Sequence, residues 1–562
     1  MNYPLNPALQ QAIDSRLKVF ETEQWVKRLW QKDPTLWSSN LEHQEIIRNR
    51  LGWLTLVDRM KEKVDEMEAF ADELVQEGYR FALVLGMGGS SLTAEILSKT
   101  LGSVEGYLQV KVLDSTDPAM VQRLEQEIDL DETVFIVSSK SGTTLEVESF
   151  YRYFSSKVEP EQFVAITDAE TPLERLAREK GFRKTFINPS DVGGRFSALS
   201  YFGLIPAALL GLDLAKFLEN ASRMIQACSS TNSTLDNPGL WLGAVLGEGA
   251  RAQKPNLTLA LSPEIALLGG WIEQMVAESL GKEERGIVPI DGEPVGDPPL
   301  YDASRLFVYL RYAKTGSAYL DGKMKALADT GHTVVQIELK DLYDVAGEFF
   351  LWEMATVVAG AILGVNPLDE PNVKESKEVT AELLKKFQQE GRLDEGSPMM
   401  EGNRISIYTD GGLKLKPGKA TTVEEILATH LSRLEPGEFV AWLAYLPQTP
   451  EVDQEIESMR HGVLHILRAP TSVGYGPRYL HSTGQLFKGG PNRGVFIQIT
   501  SDDPTDVLIP SAHYSFGILK KAQALGDFHA LCRHSRRVIR CHLHGNPLES
   551  LKKLNAHFDA VI

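Results

Sequence analysis

Short apolar, β-branched runs alternate with amphipathic segments along most of the chain, and this alternation predicts the fold. A first set of predicted strands covers residues 81–85, 110–113, 133–137, 163–167 and 185–188. A second set covers residues 257–261, 287–290, 306–310 and 333–339. Helical segments lie between the strands of each set. Such alternation is typical of α/β folds with doubly wound parallel sheets.

The sequence on either side of these sets predicts further units. Residues 1–75 look helical and charged, and they show no candidate chemistry. Residues 382–402 are charged and dotted with glycine, which predicts a linker. Beyond them, strands are predicted at 405–408, 439–446 and 495–500. We therefore predict four units, which are an N-terminal helical segment (1–75), two doubly wound domains (76–240 and 241–395) and a C-terminal α/β domain (396–562).

Composition narrows the class of protein. The 562 residues are 43% hydrophobic and 24% charged, as in soluble globular proteins. The net charge of −18 argues against a nucleic-acid binder, whose surface should be basic. The longest apolar stretch, 354–365, is too short to span a membrane and is predicted to be a core helix. Cys228, Cys532 and Cys541 show no disulfide or metal spacing, and no signal peptide is evident, so a reducing cytoplasm is expected.

Two turns between a predicted strand and a predicted helix are rich in glycine and hydroxyl residues. They are Gly86-Met87-Gly88-Gly89-Ser90-Ser91 and Ser138-Ser139-Lys140-Ser141-Gly142-Thr143-Thr144. Free backbone N–H groups and the helix dipole at such a junction suit a phosphate, although an ordinary Ser/Thr N-cap is the alternative. Ligands of doubly wound sheets bind at this edge. The glycine turn matches neither a dinucleotide fingerprint nor a P-loop, so we predict neither NAD nor ATP.

Two charged residues outside these turns are candidates for chemistry. Arg195, in a glycine-containing turn, is placed to stabilise negative charge on an oxygen, but its spacing alone favours a surface arginine. Glu278 ends an apolar helix face and is either a desolvated general base or a solvated helix-terminal glutamate. His461 and His465 are spaced like metal ligands, yet no third ligand accompanies them, so we predict surface or core histidines.

The glycine turn, the serine turn, Arg195 and Glu278 follow one another along the chain in the same order as the motifs of phosphoglucose isomerases. The chain resembles that family, and more closely the isomerase portion of fused transaldolase/phosphoglucose isomerase proteins. The resemblance extends from about residue 75 and includes Ala277-Glu278-Ser279-Leu280-Gly281-Lys282 and residues 368–377. No transaldolase segment is evident, and we do not expect that activity. The resemblance implies two sugar-isomerase (SIS-type) domains and interconversion of glucose 6-phosphate and fructose 6-phosphate through a cis-enediolate. It implies no metal and no cofactor.

The resemblance also implies roles for single residues. Glu278 would move the proton between C1 and C2, and Arg195 would steady the cis-enediolate. Lys377, rather than its neighbour Lys374, would help to open the sugar ring. The residues expected to hold the phosphate are Gly89, Ser90, Ser139, Lys140, Ser141 and Thr144.

The sequence departs from the family pattern at one catalytic position. Better-known members place a histidine between the glutamate and the lysine, and that histidine reaches in from a second subunit. Here the only histidine between Glu278 and Lys377 is His332, in a predicted turn before a strand. We expect His481 to act instead, from a polar loop of the C-terminal domain, so that this domain supplies what a second subunit supplies elsewhere. His332 remains the alternative.

Two other functions stay open at this point. The first is a dual isomerase that also accepts mannose 6-phosphate, and the second is a non-catalytic regulator that binds sugar phosphates. Regulators of that kind usually lack the combination of Glu278, Arg195 and Lys377 that is present here. The expected partner is a small sugar phosphate, without nucleic acid or membrane. The chain is expected to be a monomer or a homodimer.

Overall fold

The computed structural model of the protein describes residues 3–229, 236–414 and 422–562. The N-terminal segment is helical, as predicted. Its helices are α1 (Pro7–Thr22), α2 (Trp25–Trp30), α3 (Leu41–Arg48), α4 (Leu56–Lys61) and α5 (Val64–Gln76). Their apolar faces, and Trp53 between α3 and α4, join one hydrophobic core with the next two sheets. This segment is therefore packed onto both of those domains.

The first sheet is parallel and has the order β2-β1-β3-β4-β5. Its strands are β1 (Phe81–Gly86), β2 (Gln109–Leu113), β3 (Thr133–Ser138), β4 (Phe163–Asp168) and β5 (Lys184–Asn188). Its helices are α6 (Leu92–Thr100), α7 (Pro118–Gln126), α8 (Leu145–Phe154), α9 (Pro172–Lys180), α10 (Tyr201–Leu209) and α11 (Leu214–Ala227). The strand order reverses between β1 and β3, so both predicted phosphate turns lie at the topological switch point.

The second sheet is also parallel, with the order β7-β6-β8-β9. Its strands are β6 (Asn256–Leu261), β7 (Val288–Ile290), β8 (Arg305–Tyr312) and β9 (Thr333–Leu339). Its helices are α12 (Pro238–Arg251), α13 (Leu268–Leu280), α14 (Ala318–Asp329), α15 (Val345–Leu363) and α16 (Pro371–Glu390). Among the described residues, Leu342–Leu363 is the one helical stretch apolar enough to span a membrane, and 89% of its window is buried. Because α15 packs against α11, α12 and α13, it is a core helix of the protein.

The C-terminal sheet has the order β10-β14-β13-β11-β12, and β10 is antiparallel to the rest. Its strands are β10 (Ile405–Thr409), β11 (Phe439–Tyr445), β12 (Thr471–Tyr475), β13 (Gly494–Ser501) and β14 (Arg537–Leu543). Its helices are α17 (Val423–Leu431), α18 (Pro450–Gly462), α19 (Gly484–Gly489), α20 (Phe516–Arg533) and α21 (Pro547–Asp559). The α/β fold with doubly wound parallel sheets is thus confirmed, although β12 and β14 were not predicted.

The predicted linker at 382–402 is wrong in its first part. Helix α16 continues to Glu390, and Leu383 and Leu384 share a hydrophobic core with Phe516 and Leu519 of α20. Apolar residues at helical spacing therefore hold this charged stretch against the C-terminal domain. The four domain boundaries remain a prediction.

Buried ion pairs also join the first domain to the C-terminal domain. The Lys520 ammonium, on α20, is 2% exposed and donates to Asp117 Oδ2 at 2.8 Å. It is also paired with Asp503, in the loop after β13. Asp117 caps α7 of the first domain by accepting from the Ala119 N–H. Lys520 is therefore a buried cation with carboxylate partners from two domains.

We expect Lys520→Met to destabilise the protein by about 3–5 kcal/mol, because removing the cation leaves buried carboxylates without their partner. Thermal unfolding of the full chain measures this as a lowered midpoint. Lys521→Met is the matched control, since the half-exposed Lys521 pairs with Glu395 near the surface and its loss should cost at most about 1 kcal/mol. Equal midpoints for the two variants would contradict a joining role for Lys520.

Candidate functional site

The two hydroxyl-rich turns lie side by side and open into one cavity of about 330 Å³, which we call the interdomain cavity. Gly86 and Ser138 are paired at the ends of β1 and β3, and the Ser138 hydroxyl donates to the Ser90 carbonyl at 2.8 Å. The cavity is lined by Arg50, Met87, Gly88, Gly89, Ser90, Lys140, Ser141, Thr144, Asp168, Gly194, Arg195, Gln274, Glu278, Glu370, Val373, Lys377 and His481. It therefore draws on every part of the chain.

Most of the predicted phosphate-binding residues line this cavity, and Ser139 does not. The Ser139 hydroxyl lies 2.9 Å from Thr144 Oγ1 and accepts from the Gly142 N–H at 3.1 Å. Ser139 thus braces the turn from inside. The Lys140 ammonium is paired with Asp168 and donates to the Ser190 carbonyl at 3.2 Å. Burial lowers the pKa of Lys140, although the hydrogen bond to Asp168 opposes this.

Arg195 is buried, so the prediction of a surface arginine is wrong. It is 4% exposed, and its guanidinium donates to Ser279 Oγ at 2.7 Å and to Glu370 Oε2 at 3.0 Å. It also donates to the carbonyls of Pro367, at 2.7 Å, and Asp369, at 3.0 Å. Burial alone would lower the pKa of Arg195, but the carboxylates around it raise it. A permanent positive charge therefore lies between the first two domains.

Glu278 is buried rather than solvated. It lies near the end of α13, is 8% exposed, and its Oε1 is 3.3 Å from Arg195 Nη1. The Gln274 side chain, one turn earlier, donates to Glu278 Oε2 at 3.0 Å. Burial raises the pKa of Glu278 above its usual value, Arg195 opposes this shift, and Glu370 adds to it. Such a carboxylate holds a proton more readily than an exposed glutamate does.

His481 reaches the cavity from the C-terminal domain. Its Nε2 is 2.9 Å from Glu146 Oε1, and Gln523 donates to the same oxygen at 2.8 Å. Gln523 in turn accepts from the Thr116 hydroxyl at 2.8 Å. Burial alone would raise the pKa of Glu146, but the nearby His481 and hydrogen bonds lower it. A fixed carboxylate therefore orients the imidazole.

Of the other residues considered for ring opening, one lines the interdomain cavity and another does not. Lys377, on α16, lines the cavity beside His481. The side chain of Lys374 lies outside the described part of the structure. His332 packs edge-on against Tyr301 and Phe307 and does not line the cavity. The geometry therefore favours His481 over His332.

Sequence reasoning missed four of the polar residues that line the cavity. Arg50 belongs to the N-terminal segment, where no chemistry was expected, and it adds positive charge beside Lys140. Asp168 ends β4, and a carboxylate at a strand end was a usable signal. Gln274 is one helical turn from Glu278, and its Oε1 is buried without a hydrogen-bond partner among the described residues. Glu370 lies within the segment 368–377, of which only the lysine was assigned a role.

The comparison with known protein families agrees with the resemblance noted in the sequence. Residues 55–291 match the family model described as phosphoglucose isomerase. Over this part of its length the chain is similar to phosphoglucose isomerases.

Curated relatives named glucose-6-phosphate isomerase come from distant organisms. One from Desulfitobacterium hafniense is 26% identical over 453 residues, which is 70% of this chain and 80% of the relative. One from Leptospira biflexa is 29% identical over 400 residues, or 61% of this chain and 88% of the relative. One from Methanocaldococcus jannaschii is 26% identical over 385 residues, which is 60% of this chain and 95% of the relative.

Solved structures show the shared fold. A hypothetical protein from Thermus thermophilus superposes with a TM-score of 0.57 at 23% identity and covers 67% of this chain and 99% of its own. A glucose-6-phosphate isomerase from Chlamydia trachomatis superposes with a TM-score of 0.53 at 17% identity. The match covers 67% of this chain and 86% of that structure. The special likeness to fused transaldolase proteins stays a prediction.

We expect Gly89→Ala to disturb the end of the cavity that the two hydroxyl-rich turns form. A Cβ at position 89 would lie 2.1 Å from the Gly194 carbonyl oxygen, so the glycine turn and the arginine turn would have to separate. Overpacking of this kind costs about 1–3 kcal/mol. Thermal unfolding should show a lower midpoint for Gly89→Ala, whereas Gly194→Ala, whose Cβ meets nothing within 4 Å, should unfold like the parent. Similar midpoints for both variants would refute this tight packing.

Proposed function

We propose that this protein interconverts glucose 6-phosphate and fructose 6-phosphate by moving a proton between C1 and C2 of the open-chain sugar. The observation that carries the proposal is the meeting of a buried carboxylate, Glu278, and a buried cation, Arg195, in the cavity that the hydroxyl-rich turns also line. The family and the activity of its named relatives support the same reaction.

Substrate binding would use the end of the cavity formed by the turns after β1 and β3. Gly89, Ser90, Ser141 and Thr144 present hydroxyl and backbone groups there, and Lys140 lies beside them. A phosphate held at this end leaves the reacting carbons free to reach toward α13. Binding energy from this remote group then positions C1 and C2 for reaction.

Proton transfer would be the task of Glu278. A proton next to a carbonyl is only weakly acidic, so the base needs a raised pKa and a fixed position. Burial supplies the first, and the hydrogen bond from Gln274 supplies the second. In the second step of the reaction, the protonated Glu278 returns the proton to the other of the two carbons, C1 or C2.

Arg195 would stabilise the intermediate. While Glu278 is ionised, the guanidinium faces the carboxylate at 3.3 Å. Once Glu278 has taken the proton, negative charge resides on the cis-enediolate oxygen, and the same guanidinium is available to it. Loss of one such donor typically costs about 3–4 kcal/mol of transition-state stabilisation.

Ring opening would use His481 and Lys377, which both line the cavity. A closed sugar needs one group to donate a proton to the ring oxygen and one to accept from the anomeric hydroxyl. The contact with Glu146 holds the His481 ring for that exchange. Because His481 belongs to the same chain as Glu278, we propose that one subunit contains the whole site, whether the protein is a monomer or a homodimer.

A cytoplasmic location fits the state of the cysteines. Cys228, Cys532 and Cys541 are all free thiols, and burial raises the pKa of Cys228 and Cys541 to about 12. Thiols with such pKa values stay protonated and are poor partners for exchange. We therefore propose that the protein acts in a reducing compartment on a small sugar phosphate.

We expect Glu278→Gln to lower kcat for fructose 6-phosphate by about 10²–10⁴-fold, because a neutral amide cannot accept the proton. Hydrogen exchange at C1 should fall with it. In the parent enzyme, kcat/KM should decline as the pH drops through the raised pKa of Glu278, so the acid limb should lie above pH 4.5. A coupled turnover assay across pH, run also with mannose 6-phosphate, measures these effects.

Glu273→Gln is the matched control for that variant. Glu273 lies on the same helix, and burial raises its pKa as well, yet it does not line the interdomain cavity. This variant should keep near-parental turnover. Equal losses in the two variants would point to a general effect on α13 and would contradict a base at Glu278. Turnover of mannose 6-phosphate at a comparable rate would widen the substrate range.

We expect His481→Ala to slow turnover of glucose 6-phosphate by about 10²-fold or more while sparing an aldose phosphate that lacks the ring-closing hydroxyls. Such a substrate stays open and does not need the ring-opening groups. The comparison of kcat for the two substrates is the measurement. His332→Ala is the control and should leave both rates unchanged. The reverse pattern, with loss in His332→Ala alone, would transfer the role to His332.

A further inference from the structure

A cluster of metal-binding residue types lies in the C-terminal domain, outside the interdomain cavity. Asp502 directly follows β13, while His542 lies near the end of β14 and His544 just beyond it. Thr500 and His542 are paired in register, so parallel pairing brings both strand ends together. One ligand atom from each of Asp502, His542 and His544 lies within 4.8 Å of the others.

The two nitrogen–oxygen distances in this cluster, each to a different oxygen of Asp502, are close to those between ligand atoms around a tetrahedral ion. His542 Nε2 is 3.2 Å from Asp502 Oδ1, and His544 Nδ1 is 3.6 Å from Asp502 Oδ2. Nitrogen and oxygen atoms bound at ~2.1 Å around a tetrahedral zinc are about 3.4 Å apart. The two imidazole rings are nearly perpendicular, at 81°, with centroids 4.8 Å apart. Two ring nitrogens thus converge on one carboxylate.

The outward nitrogen of each ring has a hydroxyl partner. His542 Nδ1 lies 2.9 Å from Thr500 Oγ1, and His544 Nε2 lies 2.8 Å from Ser406 Oγ. When these outward nitrogens donate to the hydroxyls, the lone pairs of the inward nitrogens remain for a metal. Outer hydrogen bonds of this type fix the tautomer and orientation of metal-binding histidines. The Gly545 N–H, which donates to Asp502 Oδ2 at 3.3 Å, steadies the carboxylate in the same way.

A cavity of about 210 Å³ lies beside the cluster and is lined by Asp502, His542 and Ser501, among others. Two of the three proposed ligands, Asp502 and His542, therefore border a space large enough to hold water.

We propose that Asp502, His542 and His544 bind one divalent transition-metal ion, and that zinc is the ion that their nitrogen and oxygen donors fit best. The ion would tie the ends of β13 and β14 to each other and, through Ser406, to the edge strand β10. None of the three ligands lines the interdomain cavity, so the metal site does not depend on the proposed isomerase reaction.

The test uses the full chain, stripped with a chelator and titrated with Co²⁺. We expect one equivalent to bind, with visible absorption bands typical of a four-coordinate ion, and Zn²⁺ to displace it. Asp502→Asn and His544→Gln keep side-chain size and should abolish the bands. Ser406→Ala, which removes an outer partner, should weaken binding by roughly 10–100-fold. Thermal unfolding of each stripped variant verifies folding.

His461 and His465 provide the matched control. Their exposed rings stack with centroids 3.9 Å apart, so they are the competing histidine pair. A double variant with glutamine at both positions should keep one equivalent of bound Co²⁺ and the same spectrum. Loss of the bands in this double variant, or their persistence in Asp502→Asn and His544→Gln, would overturn the proposal. Absence of stoichiometric binding by the parent protein would overturn it as well.

Discussion

The buried guanidinium of Arg195 is the contact on which the geometry of the interdomain cavity depends. It joins the turn after β5 to α13 through Ser279 and Glu278, and to the loop before α16 through Pro367 and Glu370. A buried charge is tolerated only when it is fully paired, so these partners cannot separate without a large cost. The first two domains are therefore held in one arrangement, and Glu278 stays beside the cation.

The C-terminal domain completes this arrangement. Its loop places the His481 imidazole against Glu146 of the first domain, and the His481 carbonyl accepts from Gln274 at 2.8 Å. Gln274 also donates to Glu278, so one amide links the histidine loop to that carboxylate. Buried Lys520 holds the same two domains together away from the cavity. The same interface therefore contains both a buried ion pair and one wall of the interdomain cavity.

Local patterns in the sequence were enough to predict much of the fold. Strands such as β1 and β3 are nearly continuous apolar runs, because both faces of a parallel sheet are buried, and their bounds were predicted within a residue. Strand β14 was missed since Arg537 and Arg540 interrupt its apolar run. In the fold Arg540 is buried, pairs with Glu395 and stacks 3.7 Å from the Tyr408 ring. A long-range partner therefore cancels the local polar signal.

The sequence by itself determined the type of most elements and the turns at the switch point, because periodicity and turn chemistry depend only on near neighbours in the chain. Through the family resemblance it also provided candidate residues for the proposed reaction. Only the tertiary structure decided that Arg195 and Glu278 are buried together, that Arg50 joins the cavity and that His481 meets Glu146. Burial and pairing of charges arise from segments far apart in sequence, and no local pattern encodes them.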